Sequence, residues 1–202
     1  MTFSLQPVDR VEILTLQDNY IDILAADDSD IITRPRARKQ VDIKDSILAE
    51  HGFSAVTTTF VGSSSRSILF DFGFSEHGAA FNAQNLGFNM KSIEIMALSH
   101  GHMDHVGGME KLTALVGKPC IELVVQPDVF REPRYHKVSD DLKIVLPPFT
   151  RQKTKNAGIN LIETRQPYPM TDGQALFLSE IERVTEFEKG APSLWYEKDG
   201  VP

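Results

Sequence analysis

Runs of β-branched and aromatic residues alternate with stretches of helical periodicity along the first 125 residues. Helices are predicted over residues 76–86 and 109–116, because apolar side chains recur there at helical spacing and Gly87 or Gly117 follows. Strands are predicted where β-branched or aromatic runs are bounded by turn residues. These strands are residues 11–16, 54–60, 67–73, 93–99 and 120–125.

The chain after Pro147 shows weaker patterns. It contains several prolines and few clear periodic segments, and it closes on the letters WYEKDGVP. We therefore expect fewer regular elements in this tail. With 202 residues, the chain is long enough to bury one sizeable core, so a single domain over residues 1–202 is expected.

Composition narrows the class of partner. The chain has 21 basic and 28 acidic side chains and a formal net charge of −7. A net negative charge disfavours binding to nucleic acid or to an anionic membrane. A small molecule is the expected partner.

The single cysteine and the first residues bear on location. Cys120 has no second cysteine with which to form an internal disulfide. The opening residues lack the cationic and then apolar order of a secretory signal, and no apolar run approaches the roughly 20 residues that span a bilayer. A cytoplasmic protein is the expectation.

Three of the six histidines lie within the letters SHGHMDHVGG, residues 99–108. The predicted strand before them and the predicted helix after them place this cluster on a strand-to-helix loop. His100 and His102 form one pair of candidate metal ligands, and Asp104 and His105 form a second. Imidazole and carboxylate suit zinc and its first-row neighbours, so Zn²⁺ is expected, as one or two ions, with Mn and Fe as alternatives.

The pattern His-x-His-x-Asp-His resembles the defining motif of the metallo-β-lactamase-fold superfamily of metal-dependent hydrolases. The letters LFDFG, containing Asp71, are similar to the Asp-Thr-Gly turn of that family, with Phe72 in place of the threonine. Further segments resemble the branch that includes dihydropterin ribofuranosyl-aminobenzene phosphate synthases. These segments are LQDNYIDIL, AEHGFSAV, SHGHMDHVGGM, QPDVF and EIERVTEFEKG.

The resemblance implies an α/β (α+β) fold, the four-layer αββα sandwich, with the site at the edge between two sheets. It also implies a third histidine, later in the chain, for the first metal. After His105 only His136 remains, and the surface location of a charged loop explains that residue as well as ligation does. We therefore expect that the chain carries only the N-terminal portion of the fold.

A truncated sandwich would leave one apolar face without its cover. Such a face promotes association. The isolated chain is then expected to be poorly soluble, to form a homodimer through that face, or to be stable only with its missing part.

Four other residues are candidates for the pocket or for support of the ligands. Asp71 either holds a motif histidine by its second ring nitrogen or caps the following turn. Asp18 and Asn19 either face the metal or form a plain turn. His51 either lines the pocket or ends a helix at Gly52.

Residues 33–40 place four positive charges in eight positions. This segment is either a solvated loop or a mobile lid that clamps a phosphorylated substrate.

The chemistry implied by the resemblance is metal-assisted hydrolysis of a small-molecule ester, amide or phosphoester, with Asp104 orienting the attacking water or accepting its proton. Two alternatives stay open. One is a synthase that uses the same metals as Lewis acids, and the other is a non-catalytic metal-binding or interaction module with an incomplete site.

Overall fold

The computed structural model describes residues 4–22, 24–26, 28–34, 46–188 and 190–197. Most of the basic segment, residues 35–40, lies outside these ranges, so its role as a lid stays a prediction. Within the described ranges, no helix combines the length and the apolar character that crossing a bilayer requires.

Eleven strands and four α helices are assigned in these ranges. The strands are β1 (Arg10–Gln17), β2 (Ser54–Val61), β3 (Ser64–Phe70), β4 (Ile93–Ala97), β5 (Glu122–Val125), β6 (Arg134–Lys137), β7 (Lys143–Val145), β8 (Asn160–Glu163), β9 (Tyr168–Met170), β10 (Ala175–Phe177) and β11 (Leu194–Tyr196). The helices are α1 (Gly78–Leu86), α2 (Met103–Val106), α3 (Met109–Val116) and α4 (Arg151–Asn156).

The main sheet has six strands in the order β1-β2-β3-β4-β5-β8. The β1-β2 and β2-β3 pairs are antiparallel, and the three remaining pairs are parallel. Because β3 and β4 run parallel, their carboxyl ends meet at the same edge of the sheet. This edge carries Asp71 just after β3 and the histidine loop just after β4.

Side chains of the central strands alternate between the two faces of this sheet. Leu69, Met96 and Leu123 are fully buried on the face that the helices cover, in a cluster of twenty buried apolar residues. From α1 and α3, residues such as Ala83 and Leu112 complete that cluster. The periodic apolar positions predicted for these two helices are thus the ones that pack on the sheet.

The two predicted helix ends are confirmed. Gly87 caps α1 at φ 63° and Gly117 caps α3 at φ 64°. Both values lie in the left-handed region, which glycine adopts without a steric penalty, and each glycine N–H bonds a carbonyl of the last turn.

The opposite face of the sheet has a smaller cover. Met170 and Phe177 of the β9-β10 hairpin pack against Ile68, Ile95 and Val124 in a second cluster of six buried residues, none of them helical. A hydrogen bond of 2.7 Å from Thr59 Oγ1 to Gln174 Oε1 ties β2 to the same hairpin.

Toward the β1 edge, this face is open in the described part of the chain. Val11 is 49% exposed and Ile13 is 68% exposed. The described residues thus give a six-stranded sheet with one well-covered face, a two-stranded hairpin on part of the other face, and a separate three-stranded sheet of β6, β7 and β11.

The expectation of a tail with few regular elements is wrong. After Pro147 the chain forms α4, adds β8 as the sixth strand of the main sheet, and folds back as the β9-β10 hairpin. These strands have three or four residues each, which is too short for a periodic pattern to appear in the sequence.

Two predicted strands are shorter than their patterns suggest, and a third is displaced toward the N-terminus, to Ser64–Phe70. The segment 67–73 leaves the sheet after Phe70, because Asp71 takes a left-handed φ of 57°. The segment 93–99 ends as a strand at Ala97. The segment 120–125 begins at Glu122, since Cys120 has φ 55°. Because the chain leaves strand geometry at Asp71, the residues that follow β3 no longer alternate between the two faces of the sheet.

Candidate metal centre

The histidine loop follows β4 directly. Leu98 is fully buried, and its N–H still donates to the Val124 carbonyl of β5 at 3.1 Å, so the strand direction persists to the start of the loop. The short helix α2 then begins at Met103 with His102 as its extended N-terminal flanking residue. Asp104 and His105 therefore sit on a helical turn, while His100 and His102 precede it.

His100 and His102 face one another. His100 Nε2 and His102 Nδ1 are 3.1 Å apart, and the ring centroids are 4.6 Å apart. Two donors bound at about 2.0–2.1 Å to one tetrahedral zinc lie roughly 3.3 Å apart. The two nitrogens are therefore spaced like two ligands of one ion.

Asp104 and His105 form the second pair. Asp104 Oδ2 lies 3.5 Å from His105 Nε2. One ligand atom from each of His100, Asp104 and His105 falls within a mutual distance of 4.8 Å. Among the described residues, this group contains the second pair and His100, whereas His102 is connected to it through its contact with His100.

The buried carboxylate of Asp71 supports this second pair. Its side chain is 1% exposed, and its Oδ2 accepts a hydrogen bond from His105 Nδ1 at 2.6 Å. The same carboxylate accepts from the Ser99 N–H at 2.7 Å and from the Ser99 hydroxyl at 2.6 Å. Because Nδ1 of His105 is engaged, its Nε2 is left to face the cluster, as in the carboxylate–histidine pairs that support metal ligands.

The loop before β2 supports Asp104. The Phe53 N–H donates to the Asp104 carbonyl at 3.2 Å. A Cβ on Gly52 would lie 2.2 Å from that carbonyl oxygen, and Gly52 has φ 111°, so only glycine fits there. Asn19 Oδ1 accepts from the Gly52 N–H at 2.8 Å and fixes the glycine in place.

The structure rules out one of the two alternatives for His51, the end of a helix at Gly52. No helix ends at Gly52, because residues 46–50 have no helical assignment, so a helix dipole does not explain His51. His51 instead places Nε2 3.3 Å from Asp104 Oδ2, with its side chain 68% exposed.

Asp18 does not join the cluster. Its Oδ1 accepts from the Asn19 N–H at 2.7 Å and its carbonyl accepts from the Glu50 N–H at 3.2 Å, which describes a turn. Asn19 likewise contacts the loop rather than the candidate ligands.

Burial and neighbouring charges shift the pKa values of the three motif histidines in different directions. Burial, with the neighbouring His105 and His102, lowers the pKa of His100 to about 4. Burial also lowers the pKa of His102, and the Arg134 charge adds to that shift. Burial would lower the pKa of His105 too, but the hydrogen bond and charge of Asp71 outweigh it, so that pKa is raised. Metal binding needs neutral imidazole, and near pH 7 the first pair is already neutral.

Three residues near the cluster were not anticipated from sequence. Ser99 bridges Asp71 and His100, to whose Nδ1 its hydroxyl lies at 2.9 Å. Gly52 supports the Asp104 backbone, and the guanidinium of Arg134 lies against Gly101. Only Ser99 carried a local signal, since it adjoins the motif, whereas the other two are brought in by the fold.

His136 lies in β6, in a separate three-stranded sheet with β7 and β11. It is not part of any group of three candidate metal ligands found among the described residues. A catalytic zinc normally has three protein ligands and one open position. The described residues supply four motif donors of the right chemistry, imidazole and carboxylate, and His51, whose Nε2 lies 3.3 Å from Asp104 Oδ2, is a further histidine beside them.

Comparisons with known proteins agree with this fold and this site. The sequence profile of the Metallo-beta-lactamase superfamily matches residues 51–169. A 7,8-dihydropterin-6-methyl-4-(beta-D-ribofuranosyl)-aminobenzene-5'-phosphate synthase of Methanocaldococcus jannaschii is 25% identical over 131 residues. That match takes in 65% of this chain but 37% of the relative, so the chain spans little more than a third of the relative's length.

Solved structures with partial similarity are metallo-β-lactamases. The Rm3 metallo-beta-lactamase has a TM-score of 0.39 and 18% identity, covering 62% of this chain and 44% of that one. A HARLDQ-motif metallo-beta-lactamase from Cronobacter sakazakii has a TM-score of 0.36 and 22% identity, covering 58% and 42%. The profile match by itself takes in more than half of the 202 residues, and the chain therefore belongs to the metallo-β-lactamase superfamily.

Proposed function

We propose that this chain carries the metal centre of a zinc-dependent hydrolase that acts on a small-molecule ester, amide or phosphoester. The observation that carries the proposal is the cluster itself, in which ligand atoms of His100, Asp104 and His105 lie within 4.8 Å of one another. His102, whose Nδ1 faces His100 Nε2, completes the donor set. When bound, an ion of this class supplies Lewis acidity, which lowers the pKa of water and polarises a carbonyl or phosphoryl oxygen.

The residues of this chain divide the remaining tasks. His100 and His102 hold one side of the centre, and Asp104 and His105 hold the other. Asp104 is also the residue placed to orient a water molecule or accept its proton, because its Oδ2 faces both His105 and His51. His51 Nε2 lies within reach to steady that carboxylate at 3.3 Å.

A small organic molecule is the substrate class that fits the surroundings. A groove beside α2 combines apolar side chains with charged ones, namely Phe74, Met103, Val106 and Phe149 with Glu76, Glu110, Lys111 and Lys153. Phe74 is 42% exposed and also meets the His51 ring edge-on. The net charge of −7 disfavours nucleic acid or an anionic membrane as the partner.

Zinc content and turnover, measured on the same protein, test this proposal. The zinc-loaded chain is expected to hydrolyse p-nitrophenyl acetate or bis(p-nitrophenyl) phosphate. His102→Ala should lose both zinc and turnover, whereas the exposed His77→Ala should keep both. Full zinc stoichiometry and full turnover in His102→Ala would contradict the assignment.

A second candidate is a synthase that uses the same donors. The M. jannaschii relative favours it, because its name describes the formation of a phosphorylated dihydropterin product. The zinc-loaded chain, given a dihydropterin and a ribofuranosyl-aminobenzene phosphate, would then form a condensed product visible by mass spectrometry. Stoichiometric zinc without turnover in either assay would instead favour a non-catalytic metal-binding module.

A further inference from the structure

Arg134 lies against the middle of the histidine loop. It is the first residue of β6, and its Nη1 would be 3.0 Å from a Cβ placed on Gly101, the residue between His100 and His102. The absence of a side chain at Gly101 is what allows this approach.

One nitrogen of the Arg134 guanidinium, Nη2, is buried without a hydrogen-bond partner in the described part of the chain. Glu132 is the acidic residue whose charge acts on it, but the two do not form an ion pair. A buried, charged donor without an acceptor is unfavourable, so such a group in a native structure calls for an explanation.

Other arginines of the chain differ in this respect. Each of five contacts a carboxylate at 3.0 Å or less: Arg10 with Glu12, Arg66 with Glu94, Arg131 with Asp128, Arg151 with Glu163, and Arg165 with Asp128. Five arginines on the surface of the described part of the chain thus have carboxylate partners, whereas the arginine beside the candidate metal centre has no ion pair there.

We propose that Arg134 binds a terminal oxyanion, a phosphate or a carboxylate, of the substrate that occupies the metal centre. The planar guanidinium presents paired N–H donors that match two oxygens of either group. Its place against Gly101 sets that oxyanion on the His100–His102 side of the cluster, opposite the Asp71 support. The inference rests on the proposed function in one respect, that the substrate binds at this cluster.

Binding of three simple probes to the full chain tests the inference without any turnover. Phenyl phosphate, benzoate and the neutral benzyl alcohol are titrated by ligand-observed NMR, once with EDTA and once with zinc. We expect phenyl phosphate, benzoate or both to bind, and benzyl alcohol to bind at least tenfold more weakly. Binding of phenyl phosphate alone identifies phosphate as the group, and equal binding of both anions identifies any oxyanion.

Variants identify the residue responsible. Arg134→Met should weaken anion binding at least tenfold in EDTA, and Arg134→Lys, which keeps the charge but loses the paired donors, should weaken it severalfold. Arg131→Met removes a charge three residues away and should change binding less than twofold. Equal anion affinity in wild type and both Arg134 variants would overturn the inference, as would benzyl alcohol binding as tightly as the anions.

Zinc content separates this result from the proposed function. Arg134→Met should hold as much zinc as wild type, since Arg134 is not a ligand. Loss of anion binding in EDTA then cannot come from a lost ion. If instead the wild-type chain holds no zinc yet shows Arg134-dependent anion binding, the proposed function fails and the anion site stands.

Discussion

The two halves of the histidine cluster differ in the contacts that connect them to the rest of the protein. Asp104 and His105 lie on a helical turn, with Asp71 bonded to the His105 ring and the 52–53 backbone against the Asp104 carbonyl. His100 and His102 precede that helical turn, and their rings contact each other, His105 and Ser99.

Because of this difference, substitutions in the two halves should affect fold stability and metal affinity to different extents. The Asp104–His105 half shares hydrogen bonds with the buried Asp71, so changes there should alter both metal affinity and the stability of the fold. The His100–His102 half has fewer bonds to the rest of the protein, so changes there should alter metal affinity more than stability. The predictions below are ordered by the expected loss in the free energy of unfolding of the metal-free chain.

Gly107→Ala should have the largest effect. Gly107 follows α2, and a Cβ there would lie 1.6 Å from the Phe74 carbonyl oxygen, which cannot move without the loop after β3. We expect a loss of about 3 kcal/mol or more, measured by urea unfolding. Gly62→Ala is the control for backbone strain alone, since nothing lies within 4 Å of that position but its φ is 57°. The left-handed backbone should cost alanine about 1–2 kcal/mol there, less than the steric clash at Gly107. Equal stability of the two variants would mean that the loop around Gly107 is less rigid than its contacts imply.

Asp71→Asn should come next. The amide keeps the shape but loses the charge that the Ser99 donors and His105 Nδ1 share, so we expect a loss of about 2–3 kcal/mol. Zinc affinity should fall about 10- to 100-fold, as it does when a supporting carboxylate is removed. Asp140→Asn changes an exposed aspartate and should alter neither quantity. Unchanged zinc affinity in Asp71→Asn would show that orientation of His105 does not matter.

The two halves should titrate in opposite directions in the metal-free chain. His100, with a pKa of about 4 when folded and an ordinary value of 6.5, binds fewer protons folded than unfolded, so its contribution is lost as pH falls from 6.5 toward 4. His105 has a raised pKa, so its contribution is present below 6.5 and is lost as pH rises through that raised value.

Urea unfolding at a series of pH values measures this effect. His100→Gln should flatten the acid side of the stability profile and leave the side above pH 6.5 unchanged. An unchanged acid limb in His100→Gln would assign that limb to other groups.

His102→Ala should have the smallest effect on stability, within about 0.5 kcal/mol, because its ring is half-exposed and contacts only the cluster. Zinc stoichiometry should nevertheless fall sharply. A large loss of stability together with retained zinc would reverse the comparison between the two halves. Zinc content and urea unfolding on one preparation decide between these outcomes.

Much of this structure could be predicted from local patterns. The residues of α3 and the two helix-ending glycines follow from apolar spacing and from the freedom of glycine at positive φ. The position of His100, His102, Asp104 and His105 after a buried strand follows from the residues before them. The β8 strand and the β9-β10 hairpin could not be predicted, because strands this short become recognisable only through the partners they pair with.

The sequence by itself determined the donor chemistry of the centre, because four ligand-type side chains within six positions are local by construction. Only the tertiary structure decided what surrounds them. The parallel pairing of β3 and β4 brings Asp71 next to His105, across 34 positions, and the 52–53 backbone reaches Asp104 from a still larger separation. Arg134 meets Gly101 from another sheet. Contacts between distant positions leave no periodic trace in a single chain, since they depend on strand order and packing.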